Sequence, residues 1–287
     1  MRIVLFGAGS PLSLACFRAL RDDEIVAVVV PFPRLSLSPR ALWRALQRRR
    51  GARPLIAAAR ARGIRVLPFQ STMATTRETA GADLFCVAAF PFILRRELLA
   101  VPRLGAFNAH FSLLPRHRGP SPLPSTYFAD DATTGVTLHW MNEEADTGDI
   151  AAQVEMPLAR GRNVLDVYAD LCARAATLLR RTIDDFTEGR ITRTPQPEAP
   201  PPPPPHAIDP ASQPAERVWH VLAGLGDRFG ALLPVPHGHA RSYARAAHDR
   251  RPGMIERTRD GYRVYCVDGF VDVERLSARA RLARILR

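Results

Sequence analysis

Lysine is missing altogether: all 40 basic residues of the 287 are arginine. Its absence excludes Schiff-base chemistry on a lysine amine. It also changes the meaning of the formal charge of +12. Such a charge ordinarily suggests an anionic partner, RNA among them. Here every cation is Arg and 26 residues are Pro, so the bias runs through the whole composition and the charge argues less for nucleic acid than its size suggests. Cysteine is scarce too. Cys16, Cys86, Cys172 and Cys266 lie far apart among apolar neighbours, and a disulfide scaffold or a pair of metal ligands would need closer grouping. They read as reduced core thiols. No apolar run approaches about 18 residues, so no transmembrane helix is expected. The chain opens on RIVLFG instead of a charged segment leading into a hydrophobic signal core, so a cytoplasmic location is expected.

What is present is ordinary in amount and ordered in pattern. With 46% hydrophobic residues, a chain of this length can bury a substantial core. Arg2–Phe6 reads as a buried parallel strand, and Gly7-Ala8-Gly9-Ser10 turns into a helix over Pro11–Leu20. This is the opening of a doubly wound α/β sheet. A dinucleotide fingerprint is incomplete, since Leu12 stands where a third glycine belongs and the next strand, Ile25–Val30, runs into Pro31 without an acid. Further elements are expected as a helix over Leu55–Ala61, a strand over Ile64–Leu67 and a continuous apolar strand over Ala82–Ala88. Residues 34–65 hold ten arginines and no acid; they read either as a solvated helix face or as a basic contact surface.

The informative stretch is residues 107–149. A short strand, Leu104–Phe107, delivers Asn108 and His110, which two-residue spacing puts on one face. Pro115 and Gly119 make SLLPRHRG a turn. Ser121-Pro122 has the form of a helix start running to about Phe128. Thr133–Met141 reads as a strand, followed by an acidic loop with Asp146 ahead of Thr147-Gly148. An amide, an imidazole and a carboxylate thus emerge near strand ends, where open α/β sheets place their chemistry. Together they suit attack of an amine on a carbonyl: Asn108 donates to the oxyanion, His110 handles the proton or adds a second donor, and Asp146 sets the charge and orientation of His110. Taken alone, Asn-x-His reads more readily as strand-end hydrogen bonding, with Asp146 capping a turn.

The wider pattern adds to this. Asn108, His110, Ser112-Leu113-Leu114-Pro115, Arg118-Gly119, Gly135-Val136-Thr137 and Asp146-Thr147-Gly148-Asp149 resemble, in order and spacing, the 10-formyltetrahydrofolate-dependent formyltransferase family. Its members act on methionyl-tRNA, glycinamide ribonucleotide, amino sugars and amino acids. The resemblance implies that Asn108, His110 and Asp146 are catalytic, that Ser112, Leu113, Leu114 and Pro115 border the folate, and that Phe90, Phe92, Ile93 and Leu94 line the pterin pocket. It implies 10-formyltetrahydrofolate as formyl donor and no metal. Phe111 and Pro91 depart from the family pattern, and Pro91 deletes one backbone donor near the folate. The family's loop at Gly7–Ser10 faces the amine. Here it is similar to that of the ribonucleotide enzymes, whereas the SLLP motif, the basic stretch and an added C-terminal region favour methionyl-tRNA as acceptor. A small-molecule amine is the alternative. Hydrolysis of the folate is less favoured, because the family's hydrolases usually begin with a regulatory domain. An intact trio argues against a non-catalytic binding relative.

The remainder is expected to continue the sheet over Gln153–Pro157, then form a helix over Asn163–Phe186 that Gly189 ends. Residues 195–205, PQPEAPPPPPP, read as an extended spacer or, less well, a ligand for a proline-binding module. The expected organisation is a catalytic domain over 1–194, a Pro-rich linker over 195–212 and a small domain over 213–287. A helix over Pro214–Leu225 and β structure from Ala231 to about Leu276 would build the last, as a cut-down barrel of the oligonucleotide-binding type if the resemblance holds there. His237 and His239 lack a third metal ligand. His117, His139, His206, His220 and His248 have no partner that the sequence identifies.

Overall fold

The computed structural model describes residues 1–22, 24–31, 51–201, 208–226, 233 and 238–275. The expectations for residues 34–50, His206, His237 and the side chain of His239 lie outside them. Seven strands form one sheet in the order β3-β2-β1-β4-β5-β6-β7. They are β1 (Ile3–Gly7), β2 (Ile25–Pro31), β3 (Val66–Phe69), β4 (Leu84–Ala88), β5 (Gly105–His110), β6 (Thr133–Trp140) and β7 (Ile150–Pro157). β1 pairs in parallel with β2 and β4, β2 with β3, and β4 with β5; β6 runs antiparallel to β5. The doubly wound, mostly parallel sheet is therefore present as expected. Helices cover its faces, which is why IVLFG and LFCVA are buried at every position.

Strand order reverses between β1 and β4. The carboxyl ends of these two strands flank the crevice in which such sheets hold ligands. After β1, Ser10 caps α1 (Pro11–Ala19) by accepting from the Ser13 N–H, and the buried Ser13 hydroxyl donates to the Ala88 carbonyl at 2.7 Å. One bond thus ties the first turn of α1 to the end of β4. Helical residues 51–61 (α2) pass against Gly9, whose φ is +80° and where a Cβ would lie 2.2 Å from the Gly51 carbonyl oxygen. Two short helices that periodicity did not reveal, α3 (Thr72–Glu78) and α4 (Arg96–Leu99), follow β3 and β4. They span too few turns to show an apolar stripe. Next come α5 (Pro122–Phe128) and the long α6 (Val164–Thr187).

The chain divides into two compact units. The first comprises Met1–Pro122, Gly135–Glu155 and Ala169–Pro201, with a core that includes Val4, Phe6, Val29, Phe85, Val87, Leu94 and Leu98. The second comprises Leu123–Thr134, Met156–Tyr168 and Pro202–Arg287. Its described part packs α7 (Ala215–Leu225) on an antiparallel sheet ordered β8-β11-β10-β9, with β8 at Gly238–Arg245, β9 at Ile255–Arg257, β10 at Gly261–Tyr265 and β11 at Gly269–Arg275. Ala215, Val218, Val264, Cys266, Val271 and Val273 form its core. The four cysteines are free and buried, and burial pushes the thiols of Cys16, Cys172 and Cys266 up to about 12. Among the described residues no helix is long and apolar enough to cross a membrane.

Candidate functional site

β5 extends through both Asn108 and His110, further than the apolar run suggested, because β6 pairs with that end of it. The antiparallel register sets Asn108 opposite His139 and His110 opposite Thr137. Opposed side chains in such a pair share a face, so four polar side chains meet on one side of the sheet. His110 and His139 are 6% and 2% exposed, and Thr137 is fully buried. Asn108 is half-buried, its Nδ2 lying 3.3 Å from His139 Nε2.

Carbonyl partners decide where the ring protons sit. A carbonyl can only accept, so His110 Nε2, 2.9 Å from the His117 carbonyl oxygen, carries a proton. His110 Nδ1 then holds the lone pair of the neutral ring. By the same reasoning His139 Nδ1 donates to the Trp140 carbonyl at 3.0 Å. This leaves His139 Nε2 as the acceptor for the Asn108 amide when that ring is neutral.

Asp146 closes the group from the β6–β7 loop. Its Oδ1 stands 3.3 Å from His139 Nε2 and 3.7 Å from His110 Nδ1, and its Oδ2 accepts from the Gly119 N–H at 2.8 Å. The backbone at Asp146 is left-handed, φ +58°, a conformation that Asp tolerates better than most residues. Gly148 is required nearby for space, since a Cβ there would lie 2.0 Å from the Trp140 carbonyl oxygen. Burial on its own would raise the Asp146 carboxyl; in acid, where both rings are protonated, the hydrogen bond that His139 Nε2 then donates, the charge on His110 and the Gly119 amide outweigh it and hold the pKa down to about 2. Burial pushes His110 below its ordinary value, against the opposing pull of Asp146 and the His117 carbonyl. The site at neutral pH therefore combines an ionised carboxylate, a neutral His110 and an amide donor.

The SLLP turn is held from beneath by Thr137. Its hydroxyl donates to the Ser112 carbonyl at 2.7 Å and accepts from the Leu114 N–H at 3.2 Å and the Gln153 amide at 2.7 Å. Gln153 also donates to the Leu114 carbonyl at 3.1 Å. Ser112 and Leu114 are buried inside this arrangement, while Leu113 and Pro115 are partly exposed. Beyond β4, Phe90 and Phe92 belong to an aromatic cluster: Phe69 stacks on Phe92 at 5.2 Å, and Phe90 meets both edge-on at 5.4 and 5.6 Å. Ile93 is 80% exposed, whereas Leu94 is buried in the core.

The structure thus gathers Asn108, His110 and Asp146 as their spacing implied. Ser112 and Leu114 are buried within the turn, and Leu94 is buried in the core. Three participants escaped the sequence reading. His139 joins Asn108 to Asp146, the His117 carbonyl sets the His110 tautomer, and Phe69 completes the aromatic cluster. The available signal for His139 was its place two residues after Thr137 on the same strand, facing the same side.

A polar cluster beside the carboxyl end of β5, next to the switch point of a doubly wound sheet, is the arrangement of an α/β protein that handles a small-molecule ligand. The particular family follows from the chain itself: residues 1–183 match the formyl transferase family, and this chain belongs to it. A methionyl-tRNA formyltransferase of Symbiobacterium thermophilum is 32% identical over 202 residues, a match covering 66% of this chain and 62% of that relative. The match thus spans less than two thirds of the relative's length. Among solved structures, an N-formyltransferase from Helicobacter canadensis, in complex with folinic acid and dTDP-3-aminofucose, aligns over 96% of this chain and 99% of its own at TM-score 0.67 and 16% identity. Glycinamide ribonucleotide transformylase 1 from Symbiobacterium toebii aligns over 68% of this chain and 93% of its own at TM-score 0.54 and 23% identity. These two share the fold.

Proposed function

We propose that this chain is an N-formyltransferase that moves the formyl group of 10-formyltetrahydrofolate to an acceptor amine at Asn108, His110 and Asp146. The observation that carries the reading is the cluster itself. An amide donor, a neutral buried imidazole and an ionised carboxylate sit together in a chain of the formyl transferase family. The acceptor brings its own nucleophile, so the protein's task is to stabilise charge and move a proton. Asn108 uses one amide hydrogen on His139 and keeps the other for the developing oxyanion. His110 takes the amine's proton at Nδ1, since Nε2 is committed to the His117 carbonyl, and the proton passes to the folate N10 as the formyl C–N10 bond breaks and tetrahydrofolate leaves. Asp146, 3.7 Å from that nitrogen, stabilises the imidazolium formed. Phe69, Phe90 and Phe92 offer flat apolar surface to a pterin, with Leu113 and Pro115 at its border.

Methionyl-tRNA is the acceptor that the identity to tRNA enzymes favours. The second reading is a small amine on a sugar, amino acid or nucleotide. It is favoured by the C-terminal sheet, where arginines already have carboxylate partners: Arg263 forks onto Asp272, and Arg245 pairs with Glu216. The test is an acceptor screen with 10-formyltetrahydrofolate, following tetrahydrofolate release across a salt series. A tRNA acceptor bound through several arginines loses affinity by about an order of magnitude or more from low to physiological salt. Replacing Arg48, Arg49 and Arg50 with Ala then flattens the slope. A flat response with methionyl-tRNA, beside efficient formylation of a small amine, assigns the second acceptor class. No formyl transfer to any amine overturns the proposal.

A further inference from the structure

The Pro-rich stretch reads as a spacer, yet its beginning is built into the site. Ahead of it, Thr194 exchanges both backbone hydrogen bonds with Ile150, at 2.7 and 2.9 Å. Trp140 Nε1 donates to the Thr192 carbonyl at 2.9 Å, and Arg193 lies 3.7 Å over the Trp140 ring while donating to the Leu104 carbonyl. These contacts lay residues 192–194 along the start of β7 and bring Gln196 onto the Asp146 loop. There the Gln196 amide is saturated. Its Nε2 donates to the carbonyls of Asp146 at 2.9 Å and Gly148 at 2.7 Å, and its Oε1 accepts from Arg118 Nε and Nη2 at 3.2 and 2.6 Å. Both hydrogens and both lone pairs are used.

Those bonds close a ring. Gln196 grips the backbone of Asp146; the Asp146 carboxylate accepts from the Gly119 N–H; and Arg118, the residue before Gly119, returns to Gln196. The need for such a ring is physical. Asp146 has a left-handed backbone, and Asn142–Ala145 ahead of it are exposed. The loop's polar bonds at Asn142 and Thr147 are internal to it, and Glu143 adds only a solvent-exposed ion pair with Arg96 at 3.6 Å. Without an outside restraint, nothing in the loop aims the carboxylate at His110 and His139.

We infer that Gln196, which lies beyond the part of the chain matching the family, is a positioning residue that fixes the Asp146 loop and so sets the field Asp146 exerts on His110. The role rests on the reading of Asp146 as the carboxylate of a formyl-transfer site, but its spectroscopic consequence does not depend on turnover. Asp146 raises the His110 pKa against burial, so loosening the loop lets the His110 titration midpoint fall further.

The experiment compares the full-length wild type with Gln196→Leu, Gln196→Glu and Gln196→Asn by NMR titration of His110 without substrates, alongside formyl-transfer kinetics. Leu removes all four bonds. Glu keeps an acceptor for Arg118 but sets oxygen against the two carbonyls, so it isolates the donor role and stands in if Leu does not fold. Both should lower the His110 midpoint and cut kcat about 10-fold or more, as small misplacements do, with KM for the folate little changed. Asn, a shorter amide, should restore part of both. A His110 midpoint unmoved in both Leu and Glu overturns the role, even if thermal stability drops. A lowered midpoint in a protein whose wild type forms no formylated product keeps the positioning role and overturns the formyl-transfer reading instead.

Discussion

Asn108 and His139 face one another across the β5–β6 pair, Nδ2 to Nε2 at 3.3 Å, and His139 Nε2 lies equally close to Asp146 Oδ1. One ring therefore orients the amide donor and also borders the carboxylate.

Asn108→Ala should lower turnover about 10²–10³-fold, the usual worth of one oxyanion donor. His139→Leu should keep Asn108 but free its amide to rotate, lowering turnover by a smaller factor, about 10-fold or more. It also removes the leading hydrogen bond that holds Asp146 down to about 2, so the Asp146 pKa should rise. Steady-state kinetics with carboxylate titration by NMR measure both effects. Near-normal turnover in Asn108→Ala would rule out the oxyanion role.

His110 acts as a base only when neutral, and its pKa lies below the ordinary value because the ring is buried. Activity should persist below about pH 6.5, the unperturbed histidine value, and fall as pH drops through the lowered His110 pKa. Asp146→Asn removes an interaction that raises this pKa, so the His110 NMR midpoint should move lower still. Superimposable titration curves for the two proteins would show that these side chains do not interact.

Thr137→Val keeps the shape of a fully buried side chain and deletes its hydroxyl. The Leu114 N–H and the Gln153 amide lose an acceptor and the Ser112 carbonyl a donor. Each buried group left unpaired costs about 1–3 kcal/mol, so the urea midpoint should drop clearly. KM for the folate should rise as the SLLP turn loosens. Unchanged stability would mean that the turn is held by other contacts.

His220 carries a separate pH effect, in the second unit. It is fully buried, stacks on Tyr127 at 5.0 Å, and accepts from the Gly161 N–H through Nδ1. Burial, with Arg160 adding repulsion, pushes its pKa down to about 4. An unfolded histidine titrates near about 6.5, so between these values the unfolded chain binds a proton that the folded chain refuses. Stability should fall with falling pH in that window, by up to about 1.4 kcal/mol per pH unit. Asp146 acts in a lower window: its contribution is present above its ordinary value and lost as pH falls towards about 2. Urea titrations of wild type and His220→Phe should show a flatter acid limb in the variant between pH 6.5 and 4. Equal slopes would exclude His220 as its source.

The parallel strands were legible because they are buried on both faces and need unbroken apolar runs, as in IVLFG and LFCVA. Asn108 and His110 were legible as a pair because a strand repeats every two residues, and Asp146 because a Thr-Gly turn follows it. The sequence by itself thus determined the sheet class, the catalytic candidates and, through the spaced motifs, the family. Only the tertiary structure decided how these parts are joined. His139 reaches Asn108 through the register of an antiparallel pair, which no local pattern specifies. The His110 tautomer depends on the His117 carbonyl, a backbone atom that residue identity cannot reveal. Gln196 comes to Asp146 across fifty residues of chain, held by backbone bonds between Thr194 and Ile150 that do not depend on which side chains those residues carry. Local periodicity writes elements into a sequence; long-range backbone pairing selects which side chains finally meet.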